Sequence, residues 1–501
     1  MLISCPSSSP VSFFWYSLKT TDPTAMADET TPLLRVSPQR NSRQAHWILF
    51  VLSIVIVTID FAGSLSVAPQ TQILEDIICR DLHPDSIASS SSTCKDADVQ
   101  SELSLIIGWT ETFNQLPGII LALPFGFMAD RVGRKKVTIL SLVGLILQEV
   151  ALRIICWNSP AIPPRAIWFT ALFQICGGGA QIAASMVFTM LTDIYPVEKR
   201  TNKFFIIAAA ALGTQIIANP ISAWLMTRSP WLPYLLTLAC EFFGLTVLLF
   251  IPETLPKNLH GDDETTSQSA ADKGRSEGTQ DSIFSTVFRS ALTQLLRIRE
   301  FIWNDKTVFA ISAAFFAANV GDQALRLALQ YASKRFGWSV AKASILLSLK
   351  GIINFVLLLL ILPVISHLLT TYFRLAPIPK DLLIARTSAA LLVIGFILMA
   401  LAPEPILFIM GISILSLGWG FYAALRSVVS ALVSEDHIGL LNTTIALVQG
   451  LGAVVAGPAL AGAFNQGMRM GGAWIGLPYL VGAVLVGAAG GVTAVVSLES
   501  R

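Results

Sequence analysis

Nine ionisable side chains stand inside long apolar stretches of this sequence: Asp60, Glu111, Glu149, Arg153, Glu241, Asp322, Arg326, Lys350 and Arg426. Charge taken out of water is costly, so such residues are kept where they pair, line a wet cavity or carry ions. A carboxyl held away from water favours its protonated form, which a group that takes up and releases protons near neutral pH requires. Glu149 and Arg153 are four residues apart, as are Asp322 and Arg326, so on a helix each pair can neutralise itself on one face. Asp60 and Glu111 have no such local partner. They are the first two proton-coupling candidates, with permanent protonation or a partner on another helix as the alternative; Glu149 is the third, and Glu241 ranks below. Arg426 suits either an anionic solute or a carboxylate partner.

Amides and aromatics occur in the same stretches. Trp109, Gln181, Gln215, Asn219, Gln323 and Asn354, together with Arg426, are the candidates for lining a solute cavity. A mixed amide and aromatic lining suits an uncharged or weakly charged organic solute; contacts between helices are the competing use of the same amides. The sequence has no catalytic triad, P-loop, CxxC pair or histidine cluster. An enzyme, an ATP-driven pump, a metal site and a cofactor are therefore not expected.

The elements that must position these residues follow from composition. Of 501 residues, 53% are hydrophobic and 13% charged, about half the charge usual in soluble domains. A net charge of +2 offers no global field for nucleic acid. Crossing a bilayer takes about 20 apolar residues in a helix, and twelve such runs can be placed: 46–68, 103–127, 137–157, 165–190, 203–226, 231–251, 307–332, 341–366, 384–402, 405–432, 440–465 and 473–497. The ninth is the weakest, being short and ending at Pro403 and Pro405. The expected class is an all-α integral membrane protein, monomeric, with a lipid bilayer, protons and a small organic solute as its partners.

Lys and Arg favour the cytosolic loops. With the N-terminus inside, the inner segments of the first half hold Arg35, Arg40, Arg43, Arg131, Arg134, Lys135, Lys136, Lys199 and Arg200, and an even helix count puts the C-terminus inside as well. Residues 1–45 form a polar tail. It contains Met26, which would also serve as a start, and ETTPLL (Glu29–Leu34), which has the form of an acidic-dileucine sorting signal. The remaining units are 46–251, a linker-like central loop at 252–305 and 306–498. The loop ends in an amphipathic stretch, Phe284 to Trp303, suited to a helix at the lipid headgroups or to a soluble helix packed on the bundle. Cys79 and Cys94 share the first outer loop and are candidates for a disulfide worth about 3 kcal/mol, with two free thiols as the alternative.

Between the second and third runs lies GFMADRVGRKKV, Gly126 to Val137. The pattern Gly126-x-x-x-Asp130-Arg131-x-Gly133-Arg134-Lys135-Lys136, its position and its expected side resemble the signature loop of the major facilitator superfamily. The resemblance covers roughly residues 46–498 and is nearest to fungal multidrug and metabolite exporters, supported by DFAGSLSVAP, LTDIYPVEKR, IPETLP, LQYASKRFGWS and KDLLIARTS. It implies two six-helix bundles with both termini cytosolic. The bases alone would hold the loop inside; Asp130 and the glycines ask for more. Gly126 suits a close backbone approach, and Asp130 suits a partner in Arg134 or Arg131. The resemblance also implies that Asp130 meets the start of the eleventh helix and latches the halves at the cytosolic face.

The function this implies is proton-coupled efflux of small organic molecules such as drugs or secondary metabolites. A proton-driven importer or vacuolar carrier is the alternative, and a non-transporting sensor ranks below both. One departure bears on direction. Proton-antiporting drug exporters carry Gly-x-x-x-Gly-Pro-x-x-Gly-Gly in the fifth helix, whereas here Asn219 precedes Pro220 and Ala223-Trp224 replaces the paired glycines. The plasma membrane is the expected location, with a vacuolar or endosomal membrane as the alternative.

Overall fold

The computed structural model describes residues 42–84, 93–159, 161–195, 197–255, 293, 296–303, 306–433 and 438–499. The polar tail with ETTPLL and most of the central loop, including the start of its amphipathic stretch, lie outside the described residues. Eleven described helical spans are long and apolar enough to cross a bilayer, and the second helix, bent by 55° next to Pro124, makes a twelfth. Helices α1 (Ser42–Leu82), α2 (Ala97–Val132), α3 (Arg134–Trp157), α4 (Gly179–Ile194), α5 (Val197–Met226) and α6 (Trp231–Leu248) build the first half. The second half has α7 (Lys306–Asp322), α8 (Ala328–Phe336), α9 (Val340–Val356), α10 (Leu362–Thr371), α11 (Pro377–Leu401), α12 (Pro405–Leu417), α13 (Phe421–Leu432), α14 (Ile438–Met470) and α15 (Leu477–Glu499).

Apolar side chains run all round these helices because both surfaces they meet, neighbouring helices and lipid, are apolar. Thus Phe242, Phe243 and Phe250 stay exposed on the outside of the bundle while Ile48, Leu52 and Ile207 are fully buried within it. Several expected runs prove to be broken spans. The fourth starts as a 3-10 helix, Pro164–Cys176, and restarts as α4 after Gly177 and Gly178. The seventh loosens into 3-10 geometry at Gln323–Leu327 between α7 and α8. The tenth does so at Gly418–Gly420, and a π-turn at Leu357–Ile361 separates α9 from α10. The ninth begins earlier than its apolar residues suggest, at Pro377. Its short look is a boundary effect: Pro405 opens α12 at the first helical position, where a missing N–H costs nothing.

The halves meet along two seams, α2 against α14 and α5 against α9. At the first seam Gly108 and Gly457 bring the two backbones together, so a side chain at either would strike the other's carbonyl. The close approach expected at Gly126 is not there: a Cβ on Gly126 would meet nothing within 4 Å. The bend next to Pro124 turns the end of α2 away before Gly126 is reached, as a proline inside a helix does.

Candidate functional site

A cavity of about 210 Å³ opens between the halves. From the first half it is walled by Asp60 and Gln70 of α1, Glu111 and Asn114 of α2, Gln148 and Glu149 of α3, Gln215 and Asn219 of α5 and Glu241 of α6; the second half adds Arg326 and Lys350. Apolar side chains such as Ile59, Leu145, Ile146, Leu329 and Leu347 fill the remainder. Asp60, Glu111, Glu149, Gln215 and Asn219 thus share one space. Trp109, Gln181, Gln323, Asn354 and Arg426 lie outside this lining.

Their actual places explain why. Trp109 stacks on Phe113 and approaches Trp168, with ring centroids 5.7 and 6.4 Å away. Gln181 donates to Gln115 and packs over Gly118. Gln323 accepts from Arg326 Nε. Asn354 and Arg426 are buried in the second half at 5% exposure each. Trp109, Gln181 and Gln323 are thus engaged with neighbouring side chains.

Asp60 is 7% exposed, and its Oδ2 has no hydrogen-bond partner among the described residues. A buried carboxyl without a donor is costly when ionised. Glu149 is held differently. Arg153 Nη1 bonds its Oε2 at 2.5 Å and its backbone oxygen at 2.7 Å. The same guanidinium donates to Tyr234 O at 2.9 Å and to Thr237 Oγ1, and it lies 4.2 Å from the centre of the Tyr234 ring. The expected local neutralisation is therefore present in the geometry, with α6 as its scaffold. Glu241 also reaches the cavity, and its Oε2 has no hydrogen-bond partner among the described residues.

For Glu111 the structure shows the alternative use, a partner on another helix, and for Arg326 it adds a partner to Asp322. Arg326 does not spend its charge on Asp322 alone: its Nη1 meets Glu111 Oε1 at 2.5 Å across the boundary between the halves. The 3-10 turn at Gln323–Leu327 changes the angular step per residue, so the four-residue spacing no longer sets one face. Lys350 lies 4.4 Å from the Trp419 ring centre, a cation–π contact inside the second half.

At the end of the bundle that carries the Cys79–Cys94 disulfide, the halves are clasped. Lys95 Nζ donates to Trp338 O at 2.7 Å, while Lys334 Nζ donates to Lys95 O. Ser101 Oγ donates to Asn465 Oδ1 at 2.9 Å and Thr112 Oγ1 to Val454 O at 2.7 Å. Gln100, anchored on Glu75 Oε1 at 2.6 Å, holds Cys94 O next to the clasp. Burial pushes the Lys95 ammonium below its ordinary pKa range, and the nearby Glu75 carboxylate opposes that shift.

The signature loop lies at the opposite end. Arg134 forms an ion pair with Asp130 one turn back, and its Nε reaches Asp193 Oδ2 at 3.4 Å. Gly133, at φ 115°, adopts a backbone that side chains disfavour, and the Glu253 carboxylate fills the space a Cβ would take. Glu253 Oε1 accepts from the backbone N–H groups of Arg134 (2.9 Å) and Lys135 (3.4 Å), at the positive end of α3. Lys135 Nζ reaches Leu249 O at 2.7 Å. Asp193 and Glu253 escaped the sequence reading as site residues, although both sit in LTDIYPVEKR and IPETLP. An acid after a helix has no visible target until the loop it caps is in place. The side chains at the start of α14, where the latch to Asp130 was expected, lie outside those described.

Comparison with known proteins agrees with this architecture. The Major Facilitator Superfamily profile matches residues 50–457. The efflux pump ustT of Aspergillus flavus is 32% identical over 447 residues, covering 85% of this chain and 83% of that protein. The MFS efflux pump atnC of Emericella nidulans is 29% identical over 465 residues, 91% and 88% of the two chains. Among solved structures, a D-xylose–proton symporter superposes with a TM-score of 0.61 at 13% identity, over 90% of this chain and 97% of that one, which speaks for the fold alone. Family profile, relatives and fold agree: this chain is a multi-pass membrane transporter, not an enzyme, and belongs to the Major Facilitator Superfamily.

Proposed function

We propose that the protein exports a small organic solute in exchange for protons, by alternating access. The observation that carries this reading is Asp60, a buried carboxyl with an unpartnered oxygen in the wall of the cavity. A proton fits that oxygen, and its release there gives the cavity one more negative charge. The names of the fungal relatives favour export. The seam contacts support alternating access: the halves are joined from Ser101 to Ile119 of α2. With the bases of the signature loop on the cytosolic side, these contacts and the lysine clasp hold the outer end closed. Asp130, Gly133, Arg134, Lys135 and Glu253 are then the hinge block that keeps α2, α3 and the end of α6 moving together. Export from the cell assigns the protein to the plasma membrane; the vacuolar alternative is the one ETTPLL would serve.

The test is transport in sealed vesicles with an imposed pH gradient and a panel of labelled organic amines, acids and neutral solutes. Exchange predicts that an inside-acid gradient drives solute inward and that Asp60→Asn removes the response. An outside-acid gradient driving uptake would make the protein a proton-driven importer. Uptake indifferent to either gradient would remove proton coupling.

A further inference from the structure

The ionisable lining of the cavity is sorted by half. The first half supplies Asp60, Glu111, Glu149 and Glu241, and the second supplies Arg326 and Lys350. One opposite charge stands behind each wall: Arg153 on Glu149, and Asp322 in the field of Lys350 and Arg326. The acid excess of one wall and the basic face of the other remain. Glu111 and Arg326 are the pair that spans this divide. They stand in the cavity wall, with side-chain exposures of 26% and 15%.

That pair shows what the cavity can seat. The carboxylate of Glu111 demonstrates that the Arg326 guanidinium takes a carboxylate here, and the guanidinium shows that Glu111 takes a cation. Parting an ion pair away from water strands two charges, which is strongly unfavourable unless each finds a new partner. A neutral solute entering between them strands both. A solute with only an amine or only an acid strands one. A solute carrying an ammonium and a carboxylate slips between them and leaves every charge partnered.

We propose that the Glu111–Arg326 pair is the charged seat for an amphoteric organic solute, its ammonium on the Glu111 carboxylate and its carboxylate on the Arg326 guanidinium. The apolar body of the solute lies against side chains such as Leu145, Leu329 and Leu347. The bound solute replaces the direct link between the halves with a link through itself, so occupancy is felt by both at once. Asp60 is not consumed and remains available to a proton. This inference rests on the transport reading in one respect, that this cavity is the one the solute occupies.

The experiment measures equilibrium binding to purified protein in lipid nanodiscs, with no gradient, so its result is independent of the direction and ion of transport. Four matched probes are compared: phenylalanyl-phenylalanine, its N-acetyl form, its amide and the doubly blocked form. The amphoteric dipeptide is expected to bind about tenfold more tightly than either singly blocked form, the size of one lost charge-assisted hydrogen bond. Glu111→Gln should erase the difference between free and acetylated amine, and Arg326→Gln the difference between free carboxylate and amide. The double variant Glu111→Gln/Arg326→Gln removes both members of the pair and leaves Lys350 beside Asp322; it should stay folded and bind all four probes alike. Failure of the amphoteric dipeptide to bind, equal affinities across the four probes on the native protein, or discrimination that survives in the double variant would each overturn the proposal. A negative result with a pH-driven flux of neutral solutes would leave the export reading standing.

Discussion

Gly108 of α2 and Gly457 of α14 meet backbone against backbone: a Cβ on Gly108 would lie 2.6 Å from the carbonyl oxygen of Gly457. This contact fixes how closely the two halves can approach on the side of the bundle that carries the disulfide. In a close-packed interface an added methyl or isopropyl group cannot be absorbed, and such overpacking costs about 1–3 kcal/mol. Gly457→Val is therefore expected to pry the seam apart. In the alternating-access cycle proposed above, the loss should fall on the form closed at this end. Thermal unfolding would show only a modest drop while transport falls severely. Normal transport by Gly457→Val would contradict this reading of the seam.

The lysine clasp makes a second prediction. Lys95→Ala removes the bond to Trp338 O and should cost the closed form roughly 1 kcal/mol. With the free cysteines replaced, an Asn465→Cys reporter next to Ser101 should then react faster with a membrane-impermeant maleimide. Removing the bridge by Cys79→Ser/Cys94→Ser should act in the same direction, because it frees the segment that presents Lys95. A reporter equally shielded in all three forms would show that the clasp does not hold the seam.

A third concerns Glu253. Its carboxylate accepts from two backbone N–H groups at the start of α3 and occupies the space next to Gly133. Glu253→Ala should cost about 1–2 kcal/mol, the size of a lost helix cap with its favourable dipole term. Glu253→Gln, which keeps an acceptor, should recover part of it. Gly133→Ala should destabilise through the strained φ and the collision with Glu253. Thermal unfolding in detergent reads all three, and a transition unmoved by Glu253→Ala would refute the capping role.

Arg153 supports a fourth. It ties Glu149 to α6 through Tyr234 and Thr237 and is 4% exposed. Arg153→Met leaves Glu149 and Glu241 facing each other with no cation between them. Removing one member of a buried pair typically costs about 3–5 kcal/mol, so this variant should fold poorly. Adding Glu149→Gln should restore much of the loss. Stability equal to the native protein in the single variant would show that Arg153 does not balance these acids.

How much of this was legible in the sequence depends on the range of the interaction. The twelve apolar runs were readable because length and hydropathy are local and the bilayer imposes both. Glu149 with Arg153 was readable because a regular helix puts residues four apart on one face. Arg326 was readable only in part: Asp322 lies in its field, but the rule assumes a regular helix, which the 3-10 turn at Gln323–Leu327 interrupts, and it does not foresee Glu111. Its partner Glu111 lies far away in the chain, and no spacing encodes an ion pair across two bundles. Gly126 was expected to take the close approach that belongs to Gly108, because the bend beside Pro124 sets where α2 leaves its neighbour. The cavity candidates divided along the same line. Asp60, Gln215 and Asn219 were placed by depth, whereas Gln181 and Asn354 depend on helix rotation, which amide content does not reveal.

The most direct measurement of the central claim is proton movement driven by solute. Vesicles holding the reconstituted protein and an entrapped pH-sensitive dye, with no initial gradient, receive the solute identified by the gradient assay. Exchange through Asp60 predicts that the lumen turns alkaline as solute enters, and that Asp60→Asn abolishes the pH change. Solute entry with no pH change, with luminal acidification, or with a pH change that persists in Asp60→Asn would contradict the account.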